Sequence, residues 1–308
     1  MPPSIRYQIS IPSAIAVHNI LDALLTSNRV GSGPAMPKII RNVAIITKIN
    51  SDEAYRTARE VSKLLIERKV NVYSVDPLKG DNMTAITSQS AGDHDLDLIL
   101  AIGGDGTTLK AFRIPPFRIP VLSVNIGGHK GILSELESGS VEYIVQSILS
   151  GTHFYDCRMR MEALIEEIRT PPVLNDIVLT RVSLTRTPLL SINILGEIVE
   201  EKMDGIIIST PTGSTGHSFS LGGPVIQESL HCMMLSPIAS ISRFPTVVLP
   251  VEDIKISSSQ ESILILDGQV THTIPAGQEI TISRSPIDAC FLRIKKKGAR
   301  QLEKLGFR

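Results

Sequence analysis

The rhythm of apolar and polar positions changes once along this chain, near Gly151. Before that point, short β-branched runs alternate with stretches in which apolar residues recur every three or four positions, the pattern of a parallel sheet covered by helices. Strands are expected at residues 43–47, 70–75, 97–102 and 121–125. Helices are expected at 52–68, with Ala54, Ala58, Val61, Leu64 and Leu65 on one face, and at 141–149, closed by Gly151. After Gly151 the strands follow one another with no long helix between them, at 161–169, 173–180, 189–195, 198–203, 205–209, 246–249, 254–257, 262–266, 269–273 and 279–283. Asp267-Gly268 reads as a hairpin turn. The predicted fold class is therefore an α/β, Rossmann-like N-terminal domain followed by a mostly-β C-terminal domain, a layered antiparallel sandwich.

Residues 1–36 stand apart from this pattern, mixing Pro2, Pro3, Pro12, Gly31, Gly33 and Pro34 with one short apolar patch. They are expected to be a flexible, non-essential extension. The organisation expected after it is an α/β nucleotide- and phosphate-binding domain over 37–152, a β-rich domain over 153–285, and a C-terminal segment, 286–308, that packs back on the first domain. The basic stretch from Arg293 to the end reads as a solvated or helix-ending tail.

Length and charge narrow the function class. A chain of 308 residues is long enough for two ordinary domains. Its 31 basic and 31 acidic residues balance, so no polyelectrolyte bias draws it to nucleic acid or to an anionic membrane. No apolar run reaches the ~20 residues of a membrane span, and no secretory signal pattern opens the chain. Cys157, Cys232 and Cys290 lie far apart, and with no Cys-x-x-Cys pair they predict neither a disulfide framework nor a zinc site. A reducing, cytoplasmic setting without a structural metal is the expectation.

The chemistry concentrates in three motifs. Residues 98–102 form an apolar strand that runs into Gly103-Gly104-Asp105-Gly106-Thr107 and then a helix start. Glycines there let backbone N–H groups approach an anion, and the helix dipole favours negative charge. Asp105 is the anomaly. A carboxylate beside a phosphate-binding turn has a use if it holds a hydroxyl, meets a cation or takes a proton, as a kinase requires; the plainer alternative is a turn-stabilising or capping Asp. Neither Gly-x-x-x-x-Gly-Lys-Ser/Thr nor Gly-x-Gly-x-x-Gly is present at this turn, which disfavours a P-loop kinase and a nicotinamide dehydrogenase.

The second motif runs from Asp204-Gly205 through an apolar strand into a hydroxyl-rich loop ending at Gly222-Gly223-Pro224. Six Ser or Thr residues between Ser209 and Ser218, framed by glycines, suit a polar-lined ligand pocket better than a solvated turn. The third is Asn175-Asp176, an amide and a carboxylate in an apolar strand, a pair that would need buried partners or would mark a turn.

Taken together and in this order, Gly103 to Thr107, Asn175-Asp176 and Asp204 to Pro224 resemble the NAD kinase family, with 125–131 as its glycine-rich loop and the resemblance spanning roughly 43–293. The resemblance implies transfer of the γ-phosphate of ATP, taken with Mg²⁺ or another divalent cation, to the adenosine-ribose 2′-hydroxyl of NAD, making NADP, in a homodimer or homotetramer. It implies that Asp105 is catalytic, orienting or deprotonating that hydroxyl, and that Gly103, Gly104, Gly106, Thr107 and Lys110 meet phosphates. Asn125, Asn175 and Asp176 would hold NAD, Asp204 would bond toward the nicotinamide end, and Thr215, Gly216, His217, Ser218, Phe219 and Ser220 would line the nucleotide pocket. Ala239 would pack against NAD, Gln269 would lie near the site, and Arg186 and Lys202 would be phosphate partners or plain surface charges. Three sites depart from the family's pattern: Asp176 where Glu is frequent, His217 where Tyr is common, and the pair Ile132-Leu133 in place of an aromatic-containing pair.

Overall fold

Buried on both faces, the run Val43 to Thr47 can only be the interior strand of a covered sheet. In the computed structural model, which describes residues 39–75, 82–126, 131, 133–137, 140–294, 301–302 and 305–306, it is an interior strand of the first sheet. The strands met up to residue 158 are β1 (Asn42–Thr47), β2 (Asn71–Val75), β3 (Thr84–Ile86), β4 (Leu98–Ile102), β5 (Val121–Asn125), β6 (Leu136–Glu137) and β7 (Phe154–Arg158). Helix α1 (Asp52–Glu67) follows β1; its N-cap Ser51 accepts from the Ala54 amide at 3.3 Å, and it buries Ala54, Ala58, Val61 and Leu65 against the sheet. Helix α2 (Asp105–Phe112) follows β4, and α3 (Val141–Leu149) precedes β7.

The second half holds β8 (Met161–Ile165), β9 (Ile168–Arg169), β10 (Asp176–Arg181), β11 (Leu189–Ile194), β12 (Glu197–Lys202), β13 (Gly205–Ser209), the one-turn helix α4 (His217–Ser220), β14 (Met233–Ile238), β15 (Val247–Leu249), β16 (Ile254–Ser258), β17 (Ser262–Leu266), β18 (Val270–Ile274), β19 (Ile280–Arg284) and β20 (Ala289–Arg293). Among the described residues these make two six-stranded antiparallel sheets, β15-β14-β13-β10-β17-β18 and β12-β11-β16-β19-β8-β9. Met161, Ile192, Ile256 and Ile282 of one sheet and Ile177, Ile206, Leu235 and Leu264 of the other share one buried core, which makes the pair a sandwich.

The first sheet runs β3-β2-β1-β4-β5-β20-β7, with β6 beside β5. Its pairs are parallel apart from β20 with β7. Strand order reverses between β1 and β4, so the carboxyl end of β4, where Gly103 begins, is the switch point at which ligands bind in open α/β sheets. Because β20 returns to this sheet from the far end of the chain, Pro37–Arg308 forms one compact unit.

Several elements differ from expectation. The stretch 161–169 is a hairpin, β8 and β9, turned at Glu166 with φ 55°. Strand β10 starts at Asp176, not Val173, because the amides of residues 174–176 are directed to a side chain. Strands β3, β7, β14 and β20 were not expected at all. Arg293 does not open a solvated tail: it ends β20, fully buried. Cys157 and Cys290 stand opposite each other on β7 and β20 and are joined as a disulfide, which corrects the expectation of none. Residues 1–36, Gly127, Gly128, His129, Lys130, Ile132 and most of the basic C-terminal stretch lie outside the described residues. Among the described residues no helix is long and apolar enough to cross a membrane.

Candidate active site

Gly103 follows β4, its amide bonded to the Val124 carbonyl of β5 at 2.8 Å, and Gly104 is the N-cap of α2. Asp105 is thus the first residue of a helix, half-buried, at the positive end of the helix dipole. The Asp105 Oδ1 accepts from the Leu133 amide at 3.1 Å. Gly131 lies so close that a Cβ built there would fall on Asp105 Oδ1 and come within 3.0 Å of Ser134 Oγ. Among the described residues, apart from its chain neighbours, nothing lies within 4 Å of a Cβ built on Gly104, so the loop has open space at the residue before Asp105. Thr107 and Lys110 are half-buried, and Asn125 is buried at the end of β5.

The sandwich meets this loop through one turn. Asp267 and Gly268 have φ of 49° and 65°, the left-handed pair that a tight hairpin between β17 and β18 requires. Gln269 follows; its Nε2 donates to the Gly106 carbonyl at 3.1 Å and its Oε1 accepts from Arg113 Nη2. The Asp267 carboxylate accepts from the amides of Leu174 (3.1 Å), Asn175 (2.7 Å) and Asp176 (3.4 Å), and Arg113 Nη1 stands 3.6 Å from it. One buried carboxylate therefore places the Asn175-Asp176 backbone, and one arginine ties it to the C-terminus of the helix that Asp105 begins. Arg160, wholly buried, donates to the Phe112 carbonyl at 3.0 Å and fixes that same helix end.

The hydroxyl loop packs onto Asn175. Thr210 Oγ1 donates to the Leu174 carbonyl at 2.5 Å and accepts from the Gly213 amide at 3.1 Å, while a Cβ on Gly213 would strike the Asn175 carbonyl. Ser214 Oγ donates to the Pro211 carbonyl at 2.7 Å and accepts from the Ile226 amide at 2.9 Å, and Ser218 Oγ pairs with Ser236 Oγ at 2.6 Å. Three of the hydroxyls thus build the loop itself. The residues that the loop presents outward are Gly216, His217, Phe219 and Ser220, all exposed. Thr215 is buried, and a Cβ on Gly216 would come 3.8 Å from Asp176 Oδ2.

Asp204, Ala239, Lys202 and Arg186 are not gathered there. Asp204 precedes β13, pairs with Arg181 at 2.8 Å and donates its amide to the Ile238 carbonyl, while Ala239 (φ 49°) follows β14 beside it. Arg181 closes β10 and Asp176 opens it, so the two groups lie at opposite ends of one strand, about 16 Å apart at ~3.3 Å per residue. Lys202 and Arg186 are exposed.

Burial governs the electrostatics. Asp176 is pushed up to about 7, first by desolvation and then by the neighbouring Asp267 charge, both acting in the same direction. Desolvation raises Asp267 too, against the pull of its backbone donors and Arg113. Burial lowers Arg113, partly offset by Asp267. Among the described residues, no three His, Cys, Asp or Glu side chains are grouped as metal ligands.

Residues 43–153 match the family model of the ATP-NAD kinase N-terminal domain, and residues 174–294 that of the ATP-NAD kinase C-terminal domain. The chain is 33% identical to the NAD kinase of Thermococcus sibiricus over 261 residues, 82% of this chain and 94% of that protein. The chain belongs to the NAD kinase family. It is also 30% identical to the NAD kinase of Natranaerobius thermophilus over 277 residues, 85% of this chain and 96% of the other. In fold it is similar to the crystal structure of yeast NADH kinase complexed with NADH (TM-score 0.78, 23% identity, 90% of this chain and 91% of that one). An NAD kinase from Archaeoglobus fulgidus in complex with ATP is similar too (TM-score 0.69, 23% identity, 86% and 98%).

In this member of the NAD kinase family the structure adds residues that the motifs passed over. Asp267 was legible only as a turn residue, and Arg113 not at all. A further cluster joins the first sheet to the hydroxyl loop: Arg158 donates to Asp156 (2.8 and 2.5 Å) and to Glu228 (2.5 Å), while Arg293 Nε donates to Asp156 at 3.2 Å. Burial alone would raise the Asp156 carboxyl, but the two guanidiniums outweigh it and hold it below its usual range. The one signal in the sequence was Arg158 and Arg293 in strand-like, period-two settings with Asp156 and Phe291.

Proposed function

We propose that this chain transfers the γ-phosphate of ATP to the 2′-hydroxyl of the adenosine ribose of NAD, yielding NADP and ADP. The observation that carries the reading is Asp105 at the head of α2, held by the Leu133 amide and preceded by open backbone at Gly104. A helix start attracts phosphate, and a carboxylate placed there in a phosphotransferase suits contact with the accepting hydroxyl and with the cation that accompanies the phosphates. As the bond from the 2′-oxygen to the γ-phosphorus forms, the bond to the β-bridging oxygen breaks and ADP carries away its electrons. Asp105 orients the hydroxyl and takes its proton. The N–H groups of Gly104 and Gly106, with the Thr107 side chain and Lys110 one turn on, meet the phosphate charge.

ATP enters with Mg²⁺ or another divalent cation. Mg²⁺ takes most of its ligands from phosphate and water and about one or two carboxylates from protein, so Asp105, at the loop where the phosphates would lie, is the described residue suited to meet it. Asn125, Asn175 and Asp176 receive the adenosine of NAD, with Thr215, Gly216, His217, Ser218, Phe219 and Ser220 as the pocket wall, Phe219 being 41% exposed and available to stack. Gln269 closes on the Gly106 side. Asp204, Ala239, Lys202 and Arg186 serve the nicotinamide end or its phosphates. Beside that end Leu184 (82%) and Ile241 (66%) are exposed, which supports a homo-oligomer with this face covered. Light scattering coupled to gel filtration tests that part.

The test of the reading is NADP formation from NAD, ATP and Mg²⁺, with Asp105→Asn as its partner. Loss of kcat by about 10²- to 10⁴-fold, with NAD binding changed only a few-fold, is expected. Full turnover in the variant would remove Asp105 from the reaction, and no turnover in the folded wild type would remove the reading.

A further inference from the structure

We infer that Arg293 is a positioning residue for Asp105, acting through Leu133. Arg293 Nη1 donates to the Leu133 carbonyl at 2.9 Å, and the Leu133 amide donates to Asp105 Oδ1 at 3.1 Å. Leu133 is therefore gripped on both its peptide groups, by a guanidinium on one side and the reacting carboxylate on the other. The relay rests on the reading of Asp105 given above.

Arg293 is built to hold its place. It is 1% exposed, its Nε donates to Asp156 at 3.2 Å, its Nη1 stands 3.5 Å from Glu135 Oε2, and its guanidinium lies 4.1 Å over the Phe291 ring. Glu135 closes the frame, its Oε1 accepting from the Ile294 amide at 2.9 Å and its own amide donating to the Ser123 carbonyl of β5 at 2.9 Å. Buried charge of this kind is a weak source of stability, since apolar residues of similar volume commonly do as well. What an apolar residue does not supply is a planar fork reaching a carbonyl and two carboxylates at once.

The segment it steadies leaves Asp105 little room. Gly131 has no space for a Cβ beside Asp105 Oδ1, and the Leu133 side chain is 2% exposed. A shift of Leu133 thus moves the carboxylate, and a misplacement of about 1 Å at a reacting group costs on the order of 10²-fold in rate. Arg293 touches no reactant in this scheme; its effect belongs in kcat and leaves substrate affinity largely alone.

The experiment uses the full chain with Arg293→Lys and, in parallel, Glu135→Gln, alone and combined with Asp105→Asn. Arg293→Lys keeps the charge and loses the fork. A kcat reduced about 10- to 100-fold, with KM for NAD and ATP within threefold, is expected in each single variant that unfolds cooperatively. In the Asp105→Asn background, assayed at raised enzyme concentration, the same changes should alter the residual turnover by less than twofold, because the group they position is gone. Unchanged kcat in either folded variant, or an equal loss with and without Asp105, overturns the relay. Near-normal turnover of Asp105→Asn itself overturns instead the reading on which it rests.

Discussion

Arg113 and Asp267 face each other across 3.6 Å, one at the C-terminal end of the helix that Asp105 begins, the other in the β17–β18 turn. Asp267 also takes the three amides before and at the start of β10, and Arg113 also reaches Gln269, whose amide holds the Gly106 carbonyl. The phosphate-side loop and the Asn175-Asp176 motif are thereby set relative to each other through this ion pair and the Gln269 bond beside it.

Arg113→Met removes the cation and leaves Asp267, 1% exposed, with its backbone donors alone. Breaking one side of a buried pair typically costs about 3–5 kcal/mol, and a loss of that size is expected in urea unfolding. The phosphate loop and the Asn-Asp motif also lose their common anchor, so kcat should fall along with stability. Unfolding that matches wild type would show that the pair contributes nothing.

Asp176 makes stability depend on pH. Its folded-state value is raised from 3.8 to about 7, so between these limits the folded chain holds a proton that the unfolded chain releases, and this group's contribution falls as pH rises through the window. Asp176→Asn removes the penalty. The melting temperature of the variant relative to wild type should be higher at pH 8 than at pH 5. If the ionised carboxylate binds NAD, wild-type affinity should strengthen as pH passes about 7 while the variant stays flat; parallel profiles for both proteins would remove this role.

Two glycines of the site should answer differently to one added methyl. At Gly131 the methyl falls on Asp105 Oδ1, so Gly131→Ala should lower kcat by on the order of 10²-fold. At Gly104, among the described residues apart from its chain neighbours, it meets nothing within 4 Å. Gly104→Ala should leave the melting temperature within about one degree of wild type, since surface changes without new contacts stay within ±0.5 kcal/mol, and should raise KM for ATP because the methyl takes space proposed for phosphate. Equal steady-state behaviour of the two variants would contradict this placement of the phosphates.

The Cys157–Cys290 disulfide closes a separation of 133 residues and joins β7 to β20. A cross-link of such span is worth about 2–5 kcal/mol. Reductant should lower the melting temperature of wild type and not of Cys157→Ser, and thiol titration of the denatured chain should find Cys232 alone before reduction and all three cysteines after it. Rapid alkylation of cells expressing the protein, with the pair found as free thiols, would instead match the reducing compartment expected from the sequence.

Much of the fold is legible because it is local. The runs at 43–47, 121–125, 205–209 and 262–266 become β1, β5, β13 and β17 within a residue of their expected limits, since apolar period and flanking turn residues are short-range properties. Strand β14 was missed because Pro237 interrupts a run that is otherwise Met233-Met234-Leu235, and β7 and β20 because Asp156, Arg158 and Arg293 look like surface charge. The chain up to Thr180 looked like one strand from Val173 only because nothing in its neighbours announces that its first amides belong to Asp267, some 90 residues on.

By itself the sequence determined the two-part α/β and antiparallel-β architecture, the Asp105 turn at the end of a buried strand, and the three motifs that mark the NAD kinase family. Tertiary structure alone decided what holds them: Asp267 under Asn175 and Asp176, Arg113 across from it, and Arg293 behind Leu133, 160 positions away. The division has a physical cause. Helix, strand and turn preferences are set by residues a few positions apart, whereas a buried charge is stable only beside its partner, and the chain brings that partner up through the pairing of β20 with β5 and β7.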